Sequence, residues 1–477
     1  MSELFDENNP KSIEIYAQKV IGKTFREIWK MNKESNRLNL RLSDKTTTDD
    51  YASGHNKKKY KGGLGNLIEE CYFKYKANND SNPDFASAGV ELKVTPYKKT
   101  SVDKICAKER LIITMIDYFK IVKVSFEESH VWKKSRLILL IWYLYEKDKE
   151  NLDFHIDYVK LFSPPREDIK IMKADYDKIA KKVRDGKAHE LSESDTLYLG
   201  AATKASTSAD RRAQPYSCVK AKPRAFSFKN SYMTYILNKY FLTNEATYEP
   251  IIKHGIVDDF EEYVVSKIND YRGKSVNELC ELFNIDSHCK WPKNLGAMLA
   301  FRILGIKSNN AEEFEKANIV IKTIRLQNNG KMRESMSFPT FKFKELVKEV
   351  WEDSALATYL RETRFFFVVY KYDDNDNLVL RGGQFWNIPH NDLEVEVRAV
   401  WEKTKNILNE GLKISHDCRG RRLSNFPKKS ENRVSHVRPH AKNQNDVDEL
   451  PDGRLFPKQC FWLNNTYILE QLNESLK

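Results

Sequence analysis

The stretch Pro83-Asp84-Phe85-Ala86-Ser87-Ala88-Gly89-Val90-Glu91-Leu92-Lys93-Val94-Thr95-Pro96 decides how this chain is read. Its alternation predicts a strand over Pro83 to Pro96. A period of two puts Glu91 and Lys93 on one face and turns Val90, Leu92 and Val94 toward a core. Gly89 permits a turn, so Asp84 can return beside Glu91. Two converging carboxylates with a lysine beside them suit phosphodiester hydrolysis. Hard divalent ions take carboxylate and water oxygens, and such an ion polarises the phosphoryl group and activates water. The lysine can orient or deprotonate that water and offset the developing charge. Alone, Asp…Glu-x-Lys is a short pattern that also occurs on ordinary solvated strand faces.

At ~100–200 residues per domain, 477 residues imply two or three domains, each able to bury a core. Hydrophobic residues at 40% and aromatic ones at 12% describe a globular chain and exclude a disordered one. A formal net charge of +12 makes a polyanion the natural partner. Cys71, Cys106, Cys218, Cys280, Cys289, Cys418 and Cys460 include no Cys-x-x-Cys, and Cys280/His288/Cys289 lacks a second pair at zinc spacing. Reduced thiols in a bacterial cytoplasm are expected. Residues Met1 to Glu7 have neither a basic start nor an apolar core, so no export signal is expected. The longest apolar run, Leu137 to Leu144, is too short to span a bilayer and reads as a buried strand, so no membrane partner is expected.

Around that strand, Ser12 to Trp29 and Leu64 to Tyr72 carry apolar residues at helical spacing, with a lysine-rich stretch, 32–61, between them. Glu167 to Gly186 also reads as helix. Residues 200–224, rich in Ala, Ser, Thr, Lys and Arg, read as a long basic loop of the kind that is usually functional. Residues 243–255 lose periodicity and are expected to link a catalytic domain, 1–242, to a second, 256–477, with its own basic loop over 419–442. The second half repeats the first. Phe85 to Val94 lines up with Phe314 to Thr323, Leu64-Gly65 with Leu295-Gly296, Arg136 with Arg364, and Phe226 to Tyr232 with Phe461 to Tyr467. Four matches in one order favour a duplicated fold. In that alignment Glu91 becomes Val320, Glu69 becomes Ala300 and Asp84 becomes Glu313, while Lys322 keeps the type of Lys93. The fold class is mixed α/β, two tandem copies, the second degenerate and unable to hold magnesium.

Lys61-Gly62-Gly63-Leu64-Gly65-Asn66-Leu67-Ile68-Glu69-Glu70, followed by Pro83-Asp84-Phe85 and Gly89-Val90-Glu91-Leu92-Lys93-Val94, resembles the MutH family of endonucleases. Within it the chain resembles the two-domain type II restriction enzymes that cut at GATC. Further matching runs are Gly186-Lys187-Ala188-His189-Glu190-Leu191, Gln214-Pro215-Tyr216-Ser217, Arg224-Ala225-Phe226-Ser227 and His436-Val437-Arg438-Pro439-His440. The resemblance implies a restriction-endonuclease-like fold and a Mg2+-dependent site, with Asp84, Glu91 and Glu69 as metal ligands. It makes Lys93 the catalytic lysine and adds Lys134, with Lys133 as its rival. It also implies that the region of Lys204 reaches into a DNA groove. Lys204, Arg211 and Arg212 have donors suited to phosphates or guanine edges; Gln214 could read adenine or cap a turn, and Arg224 belongs to the same set. Ser227 stands where the nicking member of the family has a tyrosine that senses adenine methylation, so cleavage insensitive to that modification is expected.

In the second half Arg438 and His440 would contact DNA, making that domain a non-cutting effector. The implied partners are double-stranded DNA and a DNA methyltransferase acting on the same site. The chain is expected to be a monomer that pairs, if at all, on DNA. A MutH-like mismatch-repair nickase and a non-catalytic DNA-binding protein are the alternatives. The doubled length and Ser227 disfavour the first, and intact Asp84, Glu91 and Lys93 disfavour the second.

Overall fold

The computed structural model describes residues 4–39, 63–75, 82–100, 104–205, 207, 209–242, 248–253, 257, 259–285, 292, 294–416, 418, 422–443 and 445–477. They fall into two units, Met1–Leu191 with Thr196–Ala246, and Ser192–Asp195 with Thr247–Lys477. Of the expected linker, 243–247 and 254–255 lie outside the described residues, as do 40–61 of the lysine-rich stretch and Arg419, Arg421, His288 and Cys289. The described part of the linker is held inside the second unit. There Glu249 bridges to Ala311, and its carboxylate accepts from the Lys307 and Ser308 amides. The described cysteines are free thiols, and no helix among the described residues is long and apolar enough to cross a membrane.

In the first unit the helical stretch expected over Ser12 to Trp29 is two helices, α1 (Pro10–Gln18) and α2 (Phe25–Asn39), parted by a turn in which Gly22 has φ +80, and α3 (Gly63–Leu67) runs on as a π-helical turn over Ile68–Tyr72. Asn9 caps α1 by accepting from the Lys11 and Ser12 amides, and Pro10 fills a first-turn position that needs no amide. The strands β1 (Glu91–Lys99), β2 (Ile105–Ala107), β4 (Ile138–Leu144) and β5 (Ile156–Phe162) make a sheet in the order β2-β1-β4-β5. β1 and β4 run parallel, with Glu91 opposite Ile138 and Lys93 opposite Leu140. Val90, Leu92, Leu139 and Ile141 meet Ile13, Ala17, Ile28, Leu67 and Ile68 of the helices in one core. The strand expected from Pro83 begins only at Glu91. Before it, Phe85 and Val90 bridge each other across a tight loop in which Gly89 has φ +67. That positive φ favours glycine, and a side chain there would also displace the Arg136 guanidinium, whose Nη2 lies 2.6 Å from where a Cβ would sit.

A second sheet joins β3 (Leu111–Met115) to β9 (Arg224–Phe228) and β6 (Leu199–Thr203). The connecting helices are α4 (Tyr118–Ile121), α5 (His130–Ser135) and α6 (Arg166–Arg184), and α7 (Asn230–Ile236) follows β9. The long basic loop expected over 200–224 is therefore corrected. It is mostly strand, and β7 (Arg212–Gln214) and β8 (Ser217–Ala221) form a hairpin within it. β6 is buried on both faces, so it shows no alternation, while the exposed hairpin carries too few apolar residues to show one.

The second unit begins with α8 (Phe260–Asn269), α9 (Val276–Leu282), α10 (Leu295–Ile303) and α11 (Glu312–Ala317). β10 (Ile319–Leu326), β12 (Arg364–Tyr372) and β13 (Leu378–Trp386) then repeat the order and directions of β1, β4 and β5. β11 (Met336–Thr340), β19 (Gln459–Leu463) and β16 (Ser435–Pro439) repeat β3, β9 and β6. The remaining elements are α12 (Phe343–Leu346), α13 (Ala355–Glu362), α14 (Arg398–Glu410), α15 (Asn465–Gln471) and the hairpins β14 (Ile414–His416) with β15 (Arg422–Ser424) and β17 (Val447–Glu449) with β18 (Leu455–Pro457).

One buried tie recurs. The Tyr232 hydroxyl on α7 donates to Asp168 on α6 at 2.8 Å, and Tyr467 on α15 donates to Asp392, just ahead of α14, at 2.8 Å. Register refines the alignment. Val320 lies opposite Phe365 as Glu91 lies opposite Ile138, which sets Arg364 level with Leu137 and not with Arg136. Thr323 faces Gly296 of α10, so Val320 and Lys322 point to the opposite face, as Glu91 and Lys93 do.

Candidate active site

Glu91 opens β1 and is 1% exposed, so its side of the strand is covered and not a solvated face. α5 covers it. Ser129 caps that helix by accepting from the Trp132 amide, and the following turn aims Lys134 inward and leaves Lys133 exposed. Lys134 Nζ donates to Glu91 Oε1 at 3.3 Å and Oε2 at 3.2 Å; Lys93 Nζ donates to Oε1 at 2.5 Å. Burial raises the Glu91 pKa, and the two lysines work against that rise.

Asp84 Oδ2 accepts from the Leu92 amide at 2.8 Å, which ties the tight loop to the start of β1. Glu69 sits on the π-helical turn after α3. Burial, then the charge of Asp84, pushes its pKa up to about 7, against the pull of Lys93. The structure thus brings Asp84, Glu91, Lys93, Glu69 and Lys134 together. Among the described residues no three His, Cys, Asp or Glu side chains form a ready cation cage. The donor set nonetheless fits a hard divalent ion: the charge of Asp84 raises the pKa of both Glu69 and Glu91, and a cation between them would relieve that repulsion.

Tyr75 belongs to this neighbourhood and was not singled out from the sequence. Its buried hydroxyl has no hydrogen-bond partner among the described residues, and burial together with Asp84, Glu69 and Glu91 raises its pKa. An aromatic residue shortly after a helix reads as core, so nothing in the sequence marked it.

Of the expected DNA contacts, Lys204 is exposed just past β6, and Arg211 and Arg212 are exposed at the start of the β7–β8 hairpin. Two others are corrected. Gln214 is 5% exposed and its amide is fully engaged: Oε1 accepts from the Ala188 amide at 2.8 Å, and Nε2 reaches the Val219 carbonyl at 2.5 Å and His189 Nδ1 at 3.1 Å. It holds the Gly186–His189 turn to the hairpin and has no edge left for adenine. Arg224 is 7% exposed, and its Nη1 donates to the Ala201 carbonyl at 2.6 Å inside the second sheet. Ser227 is fully buried on β9.

In the second unit the register sets Arg438-Pro439-His440 level with Ala202-Thr203-Lys204. The exposed Arg438 lies over the Trp462 ring, 4.5 Å from its centroid, and the exposed His440 meets that ring edge-on at 5.4 Å. Val320 and Ala300 supply no carboxylate. Glu313 is buried and accepts from the Ile251 and Ile252 amides at 2.9 and 3.1 Å.

A buried glutamate between two lysines, at the mouth of a parallel strand pair in a mixed α/β sheet, defines a restriction-endonuclease-like architecture. The family model of the DNA mismatch repair enzyme MutH matches residues 73–175, which carry Asp84, Glu91, Lys93 and Lys134. The Type II restriction enzyme Sau3AI of Staphylococcus aureus is 36% identical over 467 residues, spanning 89% of this chain and 94% of that protein. The chain belongs to the MutH family of type II restriction endonucleases, and its enzyme class is that of a site-specific deoxyribonuclease.

Proposed function

We propose that the chain hydrolyses phosphodiesters of double-stranded DNA at 5′-GATC-3′, using Mg2+ held by Asp84, Glu91 and Glu69. The observation that carries this reading is Glu91, buried yet held between Lys93 and Lys134. The cation, when bound, supplies Lewis acidity toward the phosphoryl group and an acidified water. The protein supplies the rest. Lys134 keeps Glu91 ionised and fixed in direction. Lys93, partly exposed, carries its proton beside Glu91 toward the oxygen on which charge develops. Lys204, Arg211 and Arg212 are the candidates for contact with the duplex. The site GATC is taken from the family resemblance of the motifs.

The domains are read as catalytic, 1–242, and non-catalytic, 256–477. The second holds DNA through Arg438 and His440 and activates the first; absent carboxylates and an exposed cation beside Trp462 support this. A cognate methyltransferase and pairing of monomers on DNA belong to the same reading. The match to a mismatch repair family model favours nicking as the second reading. Incubating the chain and Mg2+ with plasmid DNA, then sequencing the ends, separates the two. Double-strand breaks at GATC support the proposal; nicks alone, or ends at another sequence, overturn it.

A further inference from the structure

The position of the catalytic centre has changed sign in the second unit. In the first unit Asp84, Glu91 and Glu69 face Lys93 and Lys134, so three carboxylates meet two ammonium groups, and a phosphate cannot approach without a cation. In the second unit Val320 and Ala300 occupy the positions of Glu91 and Glu69, and Glu313 is spent on the Ile251 and Ile252 amides. Lys322 remains. It has no carboxylate partner among the described residues; its Nζ lies 3.5 Å from the Ser337 carbonyl oxygen, a long contact. Burial lowers its pKa, as expected for a cation without a counter-charge.

Lys322 lines a cavity of about 270 Å3 together with Arg325, Arg333, Ser335 and Ser337, and Glu334 is the one carboxylate on its wall. Two arginines, a lysine and two hydroxyls are the donors that a tetrahedral oxyanion takes. The cavity lies along β10, which ends its sheet, whereas the matching strand β1 is covered by β2.

We propose that this cavity binds a backbone phosphate of DNA without a metal ion, with Lys322 as the anchoring cation. The proposal rests on the reading that the second unit holds DNA. The cavity begins at the lysine that matches Lys93 and runs on along β10, and Val320, Ala300 and Glu313 do not line it, so the second copy can grip a phosphate beside the position at which the first copy cuts.

The test uses the full chain carrying Glu91→Gln, which is expected to slow cleavage, and a fluorescent GATC duplex in EDTA, which withholds the cation. Lys322→Met removes the charge and keeps an apolar stem of similar length; Lys322→Gln runs beside it, so a folding defect in one variant decides nothing. Both are expected to weaken binding about tenfold and to lower the slope of log K against log salt by about one, while Lys322→Arg keeps both near the parent values. Millimolar inorganic phosphate is expected to raise the thermal midpoint of the parent and not that of Lys322→Met. Unchanged affinity and slope, while Arg438→Ala still weakens binding, overturn the cavity and leave the second unit's DNA reading standing. If neither Lys322 nor Arg438 matters, that reading falls and the proposal falls with it. Phosphate stabilisation that needs Lys322 without any effect on DNA overturns DNA as the occupant.

Discussion

Lys134 and Glu91 stand 43 residues apart in the chain, yet Lys134 Nζ donates to both Glu91 carboxylate oxygens, at 3.3 and 3.2 Å. Glu91 is 1% and Lys134 8% exposed. The pair therefore bears on stability as well as chemistry, because neither charge has water to fall back on. Glu91→Ala leaves the buried Lys134 ammonium without the carboxylate that pairs with it. It is expected to destabilise the chain by about 3–5 kcal/mol, since breaking one side of a buried pair strands the other. Adding Lys134→Met should recover part of that loss in urea denaturation. Glu91→Gln should cut DNA slower by a factor on the order of 10³ while retaining duplex binding. Wild-type stability in Glu91→Ala would show that the pair is not the buried contact described.

Glu69 makes the centre pH-dependent. Its carboxyl is pushed up to about 7, mostly by burial and then by Asp84. Below that pH it holds a proton and binds a cation less well. At limiting Mg2+, cleavage should rise with pH and level off above about 7. In the metal-free chain the unfolded state releases this proton first, so the group's contribution to stability is full below its ordinary value of 4.5. It is lost as pH rises through about 7. Glu69→Gln should flatten that decline, as thermal midpoints across the range will read; an unchanged slope would count against the shift.

Gln214 is expected to be structural. Gln214→Ala strands the Ala188 amide and the Val219 carbonyl, at a cost of about 1–3 kcal/mol. The sequence at the cut ends should stay that of the wild type. Relaxed choice at the adenine, at a temperature where the variant is folded, would restore its reading as a base contact.

Ser227 faces no duplex. It is fully buried, and its hydroxyl has no hydrogen-bond partner. Fully adenine-methylated GATC duplex should therefore be cut at the rate of the unmethylated one. Ser227→Ala, which removes an unsatisfied buried hydroxyl, should be neutral or stabilising and leave that insensitivity in place. Protection of the methylated duplex from the wild type would end this account.

The local alternation over Val90 to Val94 was enough to put Glu91 and Lys93 on one face, because side-chain direction along a strand depends on neighbours only. The helix around Glu69, the apolar strand Ile138–Leu144 and the duplicated order of matches were legible for the same reason. Burial was not. Glutamine and arginine look alike in sequence whether they line a groove or tie a hairpin, so Gln214 and Arg224 were placed on the wrong side of the surface. The β6 to β9 region carried no alternation to read, and it became strand only through pairing with distant chain. Packing set Lys134 against Glu91 and left its rival Lys133 outside, gave Tyr75 a place beside the carboxylates and left Lys322 without a carboxylate partner among the described residues. The amino-acid order by itself determined which residues could do chemistry. The tertiary structure decided which of them meet, since contacts between residues far apart in sequence are set by the fold of the intervening chain.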